Sequence, residues 1–99
     1  RVGSLHFDVA APADGTVVGV DNLRLARIAR LSGAPQVPGA GLDLRVKLGD
    51  SVRKGQHLYR VHARFEADLE FARRMASEGT AYTLGSADQA PRDYATTQG

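Results

Sequence analysis

Two glycine-punctuated strand phrases constrain this chain more than any other feature. The first is Ala11-Pro12-Ala13-Asp14-Gly15-Thr16-Val17-Val18-Gly19-Val20. The second is Lys47-Leu48-Gly49-Asp50-Ser51-Val52-Arg53-Lys54-Gly55-Gln56-His57-Leu58. Each sets a turn against a short β-branched run. Glycine adopts positive φ without steric cost, so Asp14-Gly15 and Gly49-Asp50 read as tight turns. The Val- and Thr-rich runs beside them read as strands.

The remaining pattern fits around these phrases. Leu5, Phe7 and Val9 alternate with His6 and Asp8, which predicts a strand over 5–9. Pro12 breaks it, and residues 16–20 form the next strand. Asp21 or Asn22 caps a helix, its side-chain oxygen accepting from a free N–H. Leu23, Ala26 and Ala29 with Leu25, Ile28 and Leu31 give that helix a broad apolar face. Gly33 sits at the expected left-handed C-terminal position, and Pro35 blocks continuation. Residues 33–41 hold three glycines and two prolines and read as a shaped loop. Residues 42–48 alternate, with Leu42, Leu44, Val46 and Leu48 on one face. Residues 56–61 are a further strand.

The spacing predicts a second helix over 65–78, with Leu69, Ala72, Met75 and Ala76 on one side and Phe65 and Phe71 near its edges. Gly79 ends it, and residues 82–85 form a last short strand. From residue 86 onward the chain is small and polar with Pro91, and a frayed tail is expected over 86–99. The expected organisation is one domain over 1–85. Its fold class is α+β: a small β-sheet or flattened barrel flanked by two helices. The Gly-Asp and Asp-Gly turns hint at a pseudo-symmetric pair.

Composition narrows the function classes. A chain of 99 residues supports one modest core with little room for a deep private active site. The absence of cysteine excludes disulfides, a thiolate zinc cluster and a thiol nucleophile. It is compatible with a cytoplasmic protein. No apolar run approaches the ~18 residues of a membrane span, and no signal peptide is visible. Arg1 in place of Met fits an excised domain or a processed protein. The net charge is +2, with basic residues densest at Arg24, Arg27 and Arg30. A solvated helix face is the ordinary reading of that spacing, and an anion-binding patch is the alternative. No aromatics are interleaved to stack on bases, which counts against nucleic acid.

His6, His57 and His62 form no HxH or HxxxH pair, so no metal site is read from them. Asp14, Asp21, Asp43 and Asp50 fall at turns, caps or strand faces, which does not make an acid–base pair. Ser4, Ser32, Ser51, Ser77 and Ser86 lack a GxSxG elbow. Gly39-Ala40-Gly41 runs into a strand rather than a helix, and Leu44 stands where a dinucleotide fingerprint needs its third glycine. A turn or packing role, with another backbone close by, is the ordinary reading. No catalytic, cofactor-binding or metal-binding residue is assigned.

The Ala11-to-Val17 and Gly49-to-Leu58 phrases resemble those of biotinyl and lipoyl carrier domains, which implies a flattened barrel with a hammerhead, like the barrel-sandwich hybrid. The carrier lysine of that family sits at a hairpin tip. Lys47 and Lys54 are the only lysines, and Lys47 reads as part of a strand while Lys54 belongs to a turn. A carrier module thus remains the alternative function, beside a free anion-binding module.

The order of the whole chain resembles the C-terminal domain of thymidine and pyrimidine-nucleoside phosphorylases. That resemblance rests on Ala11-Pro12-Ala13-Asp14-Gly15-Thr16-Val17, the helix over 22–31, Gly33-Ala34-Pro35, Gly39-Ala40-Gly41-Leu42-Asp43-Leu44, the Lys47-to-Leu58 phrase, and Val61-His62-Ala63. It covers residues 7–84 and leans toward the AMP-phosphorylase-like branch. It implies a parent enzyme in which phosphate, as co-substrate, attacks the anomeric carbon of a pyrimidine nucleoside. It also implies that the phosphate loop and base-binding residues lie outside this chain. The implied partners are the remaining domains and, in an oligomer, further copies, with no nucleic acid and no membrane. On this reading Leu25, Ile28 and Phe71 belong to the core, and the loop over 33–41 faces the rest of the enzyme.

Overall fold

A computed structural model describes residues 5–86. The chain runs β1 (Leu5–Ala10), β2 (Gly15–Val20), α1 (Asn22–Ser32), β3 (Gly41–Leu44), β4 (Ser51–Val52), β5 (His57–Ala63), α2 (Glu66–Ser77) and β6 (Tyr82–Gly85). The strands form two three-stranded antiparallel sheets, ordered β1-β5-β3 and β4-β2-β6. β1 and β2 are consecutive but lie in different sheets. The fold is therefore α+β with two helices, as expected. Residues 87–99, most of the expected tail, lie outside the described residues.

The core forms where the sheets and helices meet. On β5, Tyr59, Val61 and Ala63 point inward while Arg60 and His62 point out, the period-two alternation of a strand with one covered face. The helices pack on each other, α2 against β1 and β5, and α1 against β3 and β5. Ile28 and Val61 are fully buried. Tyr59 of one sheet meets Tyr82 of the other, ring centroids 6.0 Å apart. The Tyr82 hydroxyl donates to the Val46 carbonyl at 3.2 Å.

The caps follow local chemistry. Asp21 accepts from the Arg24 N–H at 3.0 Å and starts α1. Gly33 ends it at φ 120°. Its N–H reaches the Arg30 carbonyl, and the Ala34 N–H reaches that of Ala29. This is the paired bonding of a Schellman ending. The loop then folds back on its own start, with Val37 Cβ lying 3.1 Å from where a Cβ on Gly33 would sit.

The two phrases share one construction. Residues 47–50 and 53–56 are both four-residue turns closed by a backbone bond, Asp50 N–H to Lys47 O at 3.0 Å and Gln56 N–H to Arg53 O at 2.9 Å. Gly49 (φ 97°) and Gly55 (φ 88°) occupy the third position, where a type II turn demands positive φ. In each turn the fourth side chain accepts from the first N–H, through Asp50 and Gln56 respectively. Each turn also docks on the first phrase by a reciprocal pair of bonds. Gly49 N–H reaches Val17 O while Val17 N–H reaches Asp50 O, and Gly55 N–H reaches Ala11 O while Ala11 N–H reaches Gln56 O. The repeated turns thus lie six residues apart within the second phrase, and not at Asp14-Gly15 and Gly49-Asp50, the pair whose sequence hinted at pseudo-symmetry.

Several expectations need correction. Gly15 has no positive φ. It is the first residue of β2, and a Cβ there would sit 3.2 Å from the Gly85 carbonyl oxygen, so close approach explains it better than turning. The strand expected over 42–48 stops at Leu44, because the chain must leave the sheet to enter the turn at 47. Its apolar face is consequently broken: Val46 is buried, but Leu44 and Leu48 are exposed. Lys47 accordingly stands in a turn, not a strand. Phe71 is 52% exposed and outside the core. Two residues along a helix are about 200° of rotation, so with Leu69 facing in, Phe71 faces out. On α1 only Leu25 and Ile28, with Ser32, are buried; Leu23, Ala26 and Leu31 are exposed. Gly79 follows the α2 cap at Glu78 without positive φ, and the Arg24 guanidinium fills the space its Cβ would take.

Candidate functional site

The chemistry-bearing side chains collect on the outer face of the sheet β1-β5-β3. Register does this: His6 lies opposite His62, Asp8 opposite Arg60, and Arg60 opposite Asp43. Asp8 receives Arg60 Nε at 2.8 Å and a second guanidinium nitrogen at 3.2 Å. This fork-to-fork pairing is the strong form of the interaction. His57 Nδ1 approaches the same carboxylate at 3.7 Å. His62 Nε2 lies 3.9 Å from Asp43, and the His6 and His62 rings are tilted at a centroid distance of 6.2 Å.

The electrostatics follow from these contacts. The Arg60 hydrogen bond is the main reason the Asp8 carboxyl is held below its ordinary value, against partial desolvation. The same bond raises Arg60. Asp50 is likewise lowered, chiefly by the backbone N–H of Lys47. The arrangement is a charge-paired sheet surface beside a shallow cleft lined by Arg45, Gln56, His57 and Arg60. Among the described residues, no three His, Asp or Glu side chains converge to hold a metal ion.

The other candidates are dispersed. Asp14 accepts from the Lys54 N–H at 2.7 Å and braces the second turn. Ser32 and Ser77 donate to carbonyls one turn back in their own helices. Gly39 (φ 87°) is the third residue of the turn over 37–40, which Ala40 N–H closes onto Val37 O. Gly41 (φ 141°) opens β3, and only Ala34 Cβ, at 3.9 Å, lies near its Cβ position. The Gly-Ala-Gly phrase therefore shapes a turn, and backbone conformation rather than crowding explains Gly41. The amine of Lys47 lies 3.4 Å from Asp50. Arg24 leaves the supposed basic row: it donates to the Met75 carbonyl at 3.0 Å and ties α1 to α2.

The Asp8–Arg60–His57 group was missed by sequence reasoning. Alternation did place His6 and Asp8 on one outward face, while Arg60 was read only as part of the strand over 56–61. Nothing in the sequence alone specified that β1 pairs with β5, or in which register.

Comparison with known proteins finds a family and several relatives to which the chain is similar. Residues 16–83 match the family described as Pyrimidine nucleoside phosphorylase C-terminal domain. A protein of Albidiferax ferrireducens named "Putative thymidine phosphorylase" is 55% identical over 95% of this chain, which covers 18% of that relative. One of the same name from Methylococcus capsulatus is 53% identical over 86% of the chain and 16% of its own length. A "Bifunctional ribose 1,5-bisphosphokinase-thymidine phosphorylase" of Azorhizobium caulinodans is 47% identical over 73% of the chain and 10% of its length. The chain thus spans less than a fifth of the relatives it matches.

Proposed function

The chain belongs to the pyrimidine nucleoside phosphorylase C-terminal domain family, and we propose that it is the non-catalytic C-terminal domain of a thymidine phosphorylase. In the parent reaction a phosphate oxygen bonds to the anomeric carbon as the bond to the base breaks. Thymine and 2-deoxyribose 1-phosphate are released. The observation that carries this reading is 55% identity across nearly the whole chain to a relative of that name, of which this chain is only 18%. The charge-paired sheet face supports it too: its carboxylate and guanidinium satisfy each other rather than facing a reacting centre.

On this reading the domain spans 1–85, works in the cytoplasm, and supports closure between lobes or assembly of subunits. Its loop over 33–41 faces the remaining domains. The paired turns that clasp the first phrase support the finer assignment to a barrel-sandwich hybrid with a hammerhead. Among the described residues no helix is long and apolar enough to cross a membrane.

The test compares the 99-residue chain with the full polypeptide that carries it, each incubated with thymidine and phosphate. Thymine release by the full polypeptide alone is expected. Turnover by the short chain would overturn the non-catalytic role, and an inactive full polypeptide would overturn the parentage.

A further inference from the structure

The outer side of α1 is the least explained surface of the domain. At about 100° per residue, Leu23, Arg27, Arg30 and Leu31 form a stripe roughly 100° wide, turned away from buried Leu25 and Ile28. Leu23 is 62% exposed and Leu31 39%. Arg27, Arg30 and Leu31 line a concavity with Met75 of α2. Neither the Arg27 nor the Arg30 guanidinium has a hydrogen bond or ion pair among the described residues. No acidic residue occurs between Asn22 and Ser32 to balance them. The stripe thus joins unpaired guanidiniums to uncovered leucines, a combination that water serves poorly and an apolar segment with carboxylates serves well.

We propose that this stripe is the docking surface for a carboxylate-bearing apolar segment of the polypeptide outside this chain. The inference rests on the reading of the chain as one domain of a longer enzyme. More than four-fifths of each relative's length lies elsewhere, so the stripe has a covalently tethered partner available at high effective concentration. The second apolar groove, with Leu44 and Leu48, makes a weaker case. Its lysine is already paired with Asp50 and its tyrosine hydroxyl with Val46.

Hydroxyl-radical footprinting tests this on the full polypeptide and on the 99-residue chain. Labelling of Leu23 and Leu31 should fall at least about fivefold in the full polypeptide. In full-length Arg27→Glu/Arg30→Glu it should return toward the short-chain level, while continued protection of buried Tyr59 serves as the folding control. Equal labelling of wild type in both contexts overturns the proposal. So does protection in the short chain that grows with its own concentration, which would assign the stripe to a second copy. Thymidine phosphorolysis by the same full-length sample reports on the parentage separately: an active enzyme with an unprotected stripe sinks this inference alone.

Discussion

Gly55 isolates what backbone conformation contributes to a turn. It sits at φ 88°, and a Cβ there would meet nothing within 4 Å. Gly55→Ala should therefore lose about 1–2 kcal/mol through left-handed strain alone. Gly55→Asn should recover part of it, since Asn tolerates that region. Urea midpoints of the two variants decide; equal losses would argue against strain as the cause. At Gly15 the limit is crowding instead, and the Asp-Gly dipeptide, which reads as a turn, carries no sign of the β6 backbone, whose Gly85 carbonyl oxygen would lie 3.2 Å from a Cβ there. Asp8 supplies a second residue-scale expectation. Its folded pKa is lowered, mainly by the Arg60 hydrogen bond. The stabilisation is complete above the unfolded value of about 3.9 and fades as pH falls through the lowered folded value. Asp8→Asn should be destabilised at neutral pH and approach wild type in acid. Urea unfolding across that range checks it, and a gap that stays constant with pH would refute the linkage.

The two helices begin differently, and the difference can be measured. Asp21 caps α1 through the Arg24 N–H, so Asp21→Ala should lose about 1 kcal/mol. α2 starts at Phe65, in extended geometry (φ −117°, ψ 143°) with no side-chain cap bond. Phe65→Ser places a capping hydroxyl at a backbone already suited to it and should gain about 1 kcal/mol in the 99-residue chain. Thermal unfolding of both variants is the check, and a loss for Phe65→Ser would mean that ring packing beside Arg64 outweighs a cap. The α1 cap and the Gly33 ending were legible because both are local: a side chain or a φ angle acts within a few residues. The strand limits of β3 and the inward faces of both helices were less legible. Alternation from Leu42 to Leu48 reads as one strand until the turn at 47, docked on a distant Val17, claims its last residues. Phe71 is apolar but lies on the wrong side of a helix whose rotation is set by what it packs against. The outward charged group on β1 and β5 needed the register, which no single strand carries.

At the scale of the whole molecule, two tyrosines tie the sheets together. Tyr59 belongs to β5 and Tyr82 to β6; they are 1% and 3% exposed, with their rings in contact between the sheets. Burial is the main reason both phenol pKa values are raised; Tyr82 adds to the raising of Tyr59, and the Asp50 carboxylate to that of Tyr82. A phenol with a raised folded pKa favours the folded state through its proton. That contribution is intact below the unfolded value of about 10 and is lost as pH climbs through the folded one. Alkaline unfolding should therefore separate the sheets and release the helices in one step, so that near-UV and far-UV circular dichroism trace the same transition. Tyr59→Phe removes one of the two protons that hold the fold together at high pH, and its stability should decline less steeply above about pH 10. Tyr82→Phe shares that shallower alkaline limb but also strands the Val46 carbonyl, for a loss of about 1–3 kcal/mol at neutral pH. Two separate alkaline transitions, one for each spectral region, would mean that the sheets unfold independently and that the tyrosine contact does not couple them.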